Sequence, residues 1–248
     1  MSGVSRRTLI TAGLAAASGA AGLAVAGRSG LIPPDAVGAF APGTALTYAA
    51  QRLLTRHSLA REFRRDQISR PPFANGKPPT IEAFVKHQAE GFAGWRLAVD
   101  GMVSRPTTFS VAQLQSYPSR SQITHLACEE GWSFIAEWTG VPLSKVLDVV
   151  GAAPQAKYVV YFSIQPTWWD SVDMADALHP QTLLTYGMNG ADLPVGHGGP
   201  LRVRVPRQLG YKSVKYITRL TVTDSLKGFG KGMGSYAAER GYSWYNGI

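Results

Sequence analysis

The sequence predicts an α+β fold built on a mixed β-sheet with short helices. Three observations lead there. Strand-like apolar runs recur from Trp95 to Thr223, the helical stretches between them are brief, and no long helix separates each pair of strands as a regular βαβ alternation would require. With 248 residues, 45% of them hydrophobic, the chain can bury one sizeable core.

The chain divides by composition into residues 1–30, a targeting segment; 31–92, an N-terminal arm; and 93–248, the folded domain. Ser5-Arg6-Arg7-Thr8-Leu9-Ile10 matches the twin-arginine pattern, an uncharged Ala/Gly-rich stretch runs to Ala26, and Ala24-Val25-Ala26 places cleavage before Gly27. The expectation is export, already folded, to the periplasm or another extracytoplasmic space. Left uncleaved, the same stretch is long enough to anchor the chain in a membrane. In the arm, Leu46 to Asp66 reads as a basic helix holding Arg52, Arg56, Arg61, Arg64 and Arg65, mainly a solvated face. Arg70 to Pro79 follows as an extended loop with turn chemistry at Asn75-Gly76.

From Trp95 each element has a local reason. Trp95 to Gly101 alternates with period two into a tight turn at Asp100-Gly101. Ser110 caps a short helix from Val111 to Ser116, stopped by Pro118. Ile123 to Ala127 is a strand that opens into a loop at Cys128. Pro142 starts a helix with Leu143, Val146, Leu147 and Val150 on one face, and Gly151 ends it. Lys157 to Ser163, Thr182 to Tyr186, Leu201 to Val205 and Tyr216 to Thr223 read as strands, and Met174 to Leu178 as a short helix.

Charge and cysteine usage narrow the chemistry. A net charge of +9 suits a phosphate-bearing ligand, an anionic membrane surface or nucleic acid, but the basic residues are scattered and no nucleic-acid recognition motif is present. The single cysteine rules out an internal disulfide, Cys-rich zinc or iron–sulfur sites and covalent haem attachment. Cys128 is then either an inert buried thiol or a nucleophile, redox group or metal ligand. Glu129 and Glu130 beside it disfavour the thiolate unless a cation offsets them. A second constellation lies between Asn189 and Lys215. There Gly196-His197-Gly198-Gly199-Pro200 lets backbone amides approach a ligand, and Arg202, Arg204, Lys212 and Lys215 suit a terminal phosphate or an anionic heterocycle. The bland alternative is a glycine-rich turn with surface arginines. A cysteine hydrolase would need His125, His179 or His197 as base, and His125 lies on the opposite strand face from Cys128.

These stretches together resemble the sulfite-oxidase-fold molybdenum oxidoreductases, the oxidoreductase molybdopterin-binding domain. The resemblance runs from about Trp95 to Asp224. It rests on Cys128-x-Glu130-x-Trp132-Ser133, Gly140-x-Pro142-Leu143, Leu178-His179-Pro180-x-Thr182, and the run from Asn189 through His197 and Arg202 to Val205-Pro206 and Gly210 to Lys215. It implies a molybdenum cofactor with a single molybdopterin, ligated to the protein by Cys128. It further implies that His197 and Arg202 contact the pterin and its phosphate, that Ser213 and Lys215 cradle the phosphate, and that Ser163 lies near the cofactor. Sulfite oxidases of this family carry arginines shortly after the ligand cysteine, where this chain has Glu129-Glu130-Gly131, carboxylates that would repel a dianion. The closer likeness is to the periplasmic methionine-sulfoxide reductase branch, from which His197 departs, since an asparagine is found there. The implied activity is oxygen-atom transfer from an S-oxide or N-oxide, with Glu130 as proton donor and Trp132 or the C-terminal Tyr242, Trp244 and Tyr245 walling the channel. Electrons would come from an external donor such as a membrane haem protein, to a monomer that binds no nucleic acid. The alternatives are a sulfite dehydrogenase of the same fold and a metal-free secreted binding protein.

Overall fold

The computed structural model describes residues 30–248, so the twin-arginine pattern, the uncharged stretch and the cleavage site lie outside the described residues. The chain forms two compact units that divide between Thr55 and Arg56. The described part of the first holds a 3-10 turn, Gly38–Phe40, leading into helix α1, Ala41–Thr55. This helix starts earlier and ends sooner than the charge pattern suggested. Arg52 lies on it, whereas Arg56, Arg61, Arg64 and Arg65 do not. Among the described residues no helix is long and apolar enough to cross a membrane.

The second unit, Arg56–Ile248, is built on two five-stranded sheets where the sequence suggested one. The first sheet contains β1 (Arg96–Gly101), β2 (Thr107–Ser110), β5 (Tyr158–Ser163), β6 (Trp169–Asp173) and β10 (Ile217–Thr223) in the order β2-β1-β10-β5-β6. It is mixed because β1 and β10 run parallel while its other pairs are antiparallel. The second sheet is antiparallel. It joins β3 (Arg120–Ala127), β4 (Ser133–Pro142), β7 (Leu183–Met188) and β8 (Ala191–Asp192), with β9 (Arg202–Arg204) on β7. Helices α2 (Glu82–Ala89), α3 (Val111–Gln115), α4 (Leu143–Val150) and α5 (Met174–Ala177) complete the unit.

Local chemistry explains most of these boundaries. Ser110 and Gln113 form a reciprocal capping box at the start of α3. Helix α4 buries Leu143, Val146, Leu147 and Val150 and stops at Gly151, which is left-handed at φ 65°. Asn189 and Gly190, at φ 53° and 81°, close a two-residue hairpin between β7 and β8, where only such residues bend the backbone in the required sense. Asp100-Gly101, by contrast, is not the turn it resembled. The strand continues through both, Gly101 pairs with Val222, and the Asp100 carboxylate accepts from Arg219 at 2.8 Å and Thr221 at 2.7 Å. Strand β10 begins one residue after its predicted start because Tyr216, at φ 58°, breaks the extended run.

Residues 56–92 pack with the sheets. Phe63 N–H donates to Ile123 O at 2.9 Å and Glu62 forms a bridge with Thr124, so this segment covers the free edge of β3. The main core fills with Trp95, Leu97, Tyr161, Leu184 and Leu220, all at most 1% exposed, each contributing about 2 kcal/mol by burial. A smaller cluster of Leu126, Phe134, Ala136, Trp138, Met188 and Leu193 sits on the second sheet, with Trp132 packed against it. At Gly140, where β4 shifts register against β7, an added Cβ would lie 2.8 Å from Leu184 C and closer still to its oxygen. Gly140→Ala is therefore expected to lower stability by about 1–3 kcal/mol, measured as a fall in the urea midpoint. An unchanged midpoint would mean the two strands can separate without penalty.

Candidate active site

Strand β3 delivers Cys128 to the floor of a cleft of about 230 Å³. The strand ends there because Cys128 turns: its carbonyl accepts from Gly131 N–H at 3.1 Å and its N–H donates to Trp132 O at 3.0 Å. The half-buried thiol donates to Glu129 Oε2 at 3.1 Å, and no histidine is hydrogen-bonded to it. Its pKa is pushed up to about 12, first by burial and then by the hydrogen bond and charge of Glu129 and the charge of Glu130, against the Glu130 backbone N–H. A nucleophile prepared for hydrolysis would show the opposite shift. His179 is buried elsewhere, with its Nδ1 accepting from Gln181 N–H, and takes no part in the cleft.

Glu130 lies on the same wall. Its Oε2 accepts from Asn75 Nδ2 at 2.9 Å and Trp132 Nε1 at 2.8 Å, which leaves Oε1 to the cleft and solvent. Asn75 comes from the 70–79 loop, which folds over the cleft with Phe73 and Lys77 also lining it. Phe73 and Trp132 stand 5.0 Å apart, and Trp168 lies exposed on the β5–β6 turn. The aromatics lining the cleft are therefore Phe73, Trp132, Phe134, Trp168, Tyr211 and Tyr216. Trp244 and Tyr245 are buried and do not line the cleft, and neither does Tyr242, whose ring lies tilted 5.9 Å from Tyr211.

The opposite wall carries the second constellation. His197, Arg202, Ser213 and Lys215 all line the cleft. Arg202 donates to His197 O at 2.7 Å and to Ser213 O, and both it and Arg204 lie over the Trp138 ring, at 5.2 and 5.3 Å. Lys215 Nζ donates to Asn75 O at 2.6 Å and Gly196 O at 2.7 Å, tying the loop to this wall. Three expected members are elsewhere. Arg204, on β9, is fully buried outside the cleft lining and donates to His125 O at 2.7 Å. Lys212 is fully buried behind the wall, paired with Asp170 at 2.6 Å. Ser163 does not line the cleft; its Oγ accepts the Gln165 N–H at 3.1 Å and so shapes the turn that brings Gln165 there.

The electrostatics of this wall are unusual. No carboxylate among the described residues lies within ion-pair distance of Arg202, Arg204 or Lys215. Burial, with Arg202 as the neighbouring charge for the last two, depresses them to about 10, 9 and 7. His197 falls to about 4 through burial and the charges of Arg202 and Lys215, so its imidazole is neutral. Buried cations without an ion partner are costly, and an anion bound in the cleft beside Arg202 and Lys215 would offset part of that cost. Gly198 leaves space here, since a Cβ would fall 2.9 Å from Lys215 Cγ and 3.3 Å from Arg202 Cβ.

A metal with its own sulfur chelate and phosphate fits these residues. Among the described residues no group of three or more His, Cys, Asp or Glu could hold an ion alone, so a metal at Cys128 would take its other donors from outside the chain. A cation at the thiol offsets the carboxylates and favours the thiolate, while Arg202 and Lys215 supply the counter-charge for phosphate. Of the basic residues gathered between Asn189 and Lys215, Arg202 and Lys215 line the cleft and Arg204 and Lys212 do not, while Phe73, Asn75, Lys77, Gln165, Trp168 and Tyr211, which also line it, were missed. For Asn75 and Lys77 the available signal was the Asn75-Gly76 turn in a proline-flanked loop.

Comparison with known proteins agrees with this geometry. The sequence model of the family described as oxidoreductase molybdopterin binding domain matches residues 84–228, 145 of the 248 residues. A chain of Azospira oryzae named provisionally as protein-methionine-sulfoxide reductase subunit YedZ1 is 43% identical over 155 residues, covering 62% of this chain and 56% of that one. The protein-methionine-sulfoxide reductase catalytic subunit MsrP of Ralstonia nicotianae is 32% identical, covering 52% of this chain and 44% of its own. MsrP of Xanthomonas axonopodis is 34% identical, covering 53% and 46%. The chain thus spans about half the length of these relatives. The crystal structure of the sulfane dehydrogenase SoxCD from Paracoccus pantotrophus superposes with a TM-score of 0.51 at 25% identity, over 54% of this chain and 39% of that one.

Proposed function

Because the chain belongs to the oxidoreductase molybdopterin binding domain family, we propose that it binds molybdenum with one molybdopterin and reduces an S-oxide or N-oxide, such as a methionine sulfoxide, by oxygen-atom transfer. The observation that carries this reading is a single cysteine thiol facing a wall of uncompensated Arg202 and Lys215 across one cleft. When bound, the molybdenum would supply a two-electron couple linked to oxygen-atom transfer. Cys128 would hold the metal, and Arg202, Lys215, His197 and Ser213 the pterin and phosphate.

The chain's own residues do the rest. Phe73, Trp132 and Trp168 present apolar faces that suit a thioether-like substrate and keep water from the floor of the cleft. Glu130, fixed at Oε2 by Asn75 and Trp132, has Oε1 available to deliver a proton to the departing oxygen. The Glu129 carboxylate repels a sulfite dianion, which favours neutral S-oxides. Electrons come from an external donor, and a membrane haem protein is the expected kind. Export by the twin-arginine route is part of the same proposal, from the Arg6-Arg7 pattern and the uncharged stretch after it.

Lys77, a cation lining the same cleft, favours the rival reading of oxyanion oxidation as in a sulfite dehydrogenase. One experiment separates the two. Dithionite-reduced protein mixed with methionine sulfoxide is expected to reoxidise, Glu130→Gln slowing this by about 100-fold or more, while sulfite leaves oxidised protein unchanged. Rapid reduction by sulfite, with no reaction toward sulfoxides, would reverse the assignment.

A further inference from the structure

Residues beyond position 228 lie outside the part of the chain that matches the family, yet they run to the back of the cleft. The last residues are anchored at Trp244, which is 1% exposed. Its indole N–H donates to Ser171 Oγ at 2.9 Å, and its ring lies 5.8 Å from Tyr158 and 4.9 Å from Lys212 Nζ. From this anchor the last residues pair with the segment that follows β9. Leu209 N–H donates to Asn246 O at 3.1 Å, Ile248 N–H donates to Arg207 O at 3.0 Å, and Gln208 and Gly247 form an antiparallel bridge. The Tyr211 hydroxyl donates to Ser243 O and accepts from Asn246 Nδ2 at 3.1 Å.

The segment so held is the one that presses on the thiol's backbone. At Gly210 a Cβ would meet Leu126 Cδ2 at 3.0 Å, Ala127 O at 3.2 Å and Cys128 Cα at 3.7 Å. A Cβ here would push these neighbours back by a few tenths of an ångström, so glycine suits the close approach of Leu209–Tyr211 to the thiol's backbone. Tyr211 lines the cleft on one side and receives the strap on the other.

We propose that Ser243–Ile248 is a positioning strap, which sets Cys128 by clamping Leu209–Tyr211 against it, with Asn246 and Trp244 as its two fixing points. The proposal rests on the reading of this cleft as the active site, but its first test does not need the metal. Amide hydrogen exchange is measured on the full chain as purified, for wild type, Asn246→Ala and Tyr211→Phe. Opening of the strap is expected to accelerate exchange about tenfold at residues 209–212 and at the Cys128 and Gly131 amides, with β1 and β10 unchanged.

The second readout is the Mo(V) paramagnetic resonance of loaded protein, which is expected to shift position in Asn246→Ala at unchanged metal content. Acceleration confined to residues 209–212, or equal at every amide, would overturn the strap, as would an unshifted resonance. Should Asn246→Ala not fold, Tyr211→Phe, which loses the hydroxyl contacts to both Asn246 and Ser243 and keeps the ring, decides the question alone. A wild-type chain without molybdenum would defeat the functional reading and leave the exchange result standing.

Discussion

Cys128→Ser is expected to yield a folded protein that turns over no sulfoxide: a loss of about 1000-fold or more, equivalent to about 4 kcal/mol of barrier. The expectation follows from the donor count. Cys128 is the sole cysteine, and among the described residues no other group of side chains could take up a metal in its place. A serine hydroxyl is a harder and less acidic donor, so it cannot replace a thiolate toward a metal that also takes sulfur from its chelate. The fold should hardly notice. The thiol is half buried and its one side-chain partner is the Glu129 carboxylate, which a hydroxyl can also satisfy. The change in unfolding free energy should stay within about 1 kcal/mol. Activity retained above a tenth of wild type would mean that Cys128 does not hold the metal.

The second large effect is a dependence on pH that resides in one lysine. Lys215 is pushed down to about 7, first by burial and then by Arg202. Its folded pKa lies below the ordinary lysine value, so the unfolded chain binds more protons between about pH 7 and the unfolded pKa. The cost of charging Lys215 in the ligand-free fold is therefore complete below pH 7 and is relieved as pH rises through that window. Binding a phosphate reverses the balance, because the anion stabilises the ammonium form. Above pH 7 binding must then take up a proton, and affinity should fall by up to about tenfold per pH unit. Retention of the phosphate-bearing ligand after dialysis between pH 6 and 9 is the measurement. Lys215→Met should flatten that profile and weaken retention by about 10- to 100-fold at pH 6. A wild-type profile already flat across pH 7 would show that Lys215 does not meet the anion.

How far the sequence spoke for itself differs between elements. Helix α4 was legible because periodicity, Pro142 and Gly151 all agree, and the same holds for the Ser110 cap. Strand β4 was not recognised, although it is the longest among the described residues. Its alternation is broken at Glu137, a carboxylate buried by its 2.7 Å pair with Arg65, and Gly140 and Pro142 carry the signature of a loop. The arm misled for a related reason. Residues 56–66 have helical charge spacing, but the free edge of β3 offers Phe63 and Glu62 a backbone partner, and tertiary pairing overrides propensity.

At the site, Cys128, Glu130, His197, Arg202, Ser213 and Lys215 were legible because short motifs fix their neighbours in sequence. The residues that complete the cleft come from distant segments. Nothing near Asn75 states that its amide will reach Glu130 Oε2 while its carbonyl meets Lys215. Lys212 shows the converse: the same basic cluster as Lys215, but on the buried side of a 3-10 turn where Asp170 takes its charge.

The central claim is that this cleft holds molybdenum through Cys128, and the most direct measurement is the metal content of wild-type protein purified from a host that makes the cofactor. Elemental analysis should return about one molybdenum per chain together with a phosphorylated pterin. A folded chain from such a host carrying neither would contradict the account and favour a binding protein that keeps the fold without the chemistry.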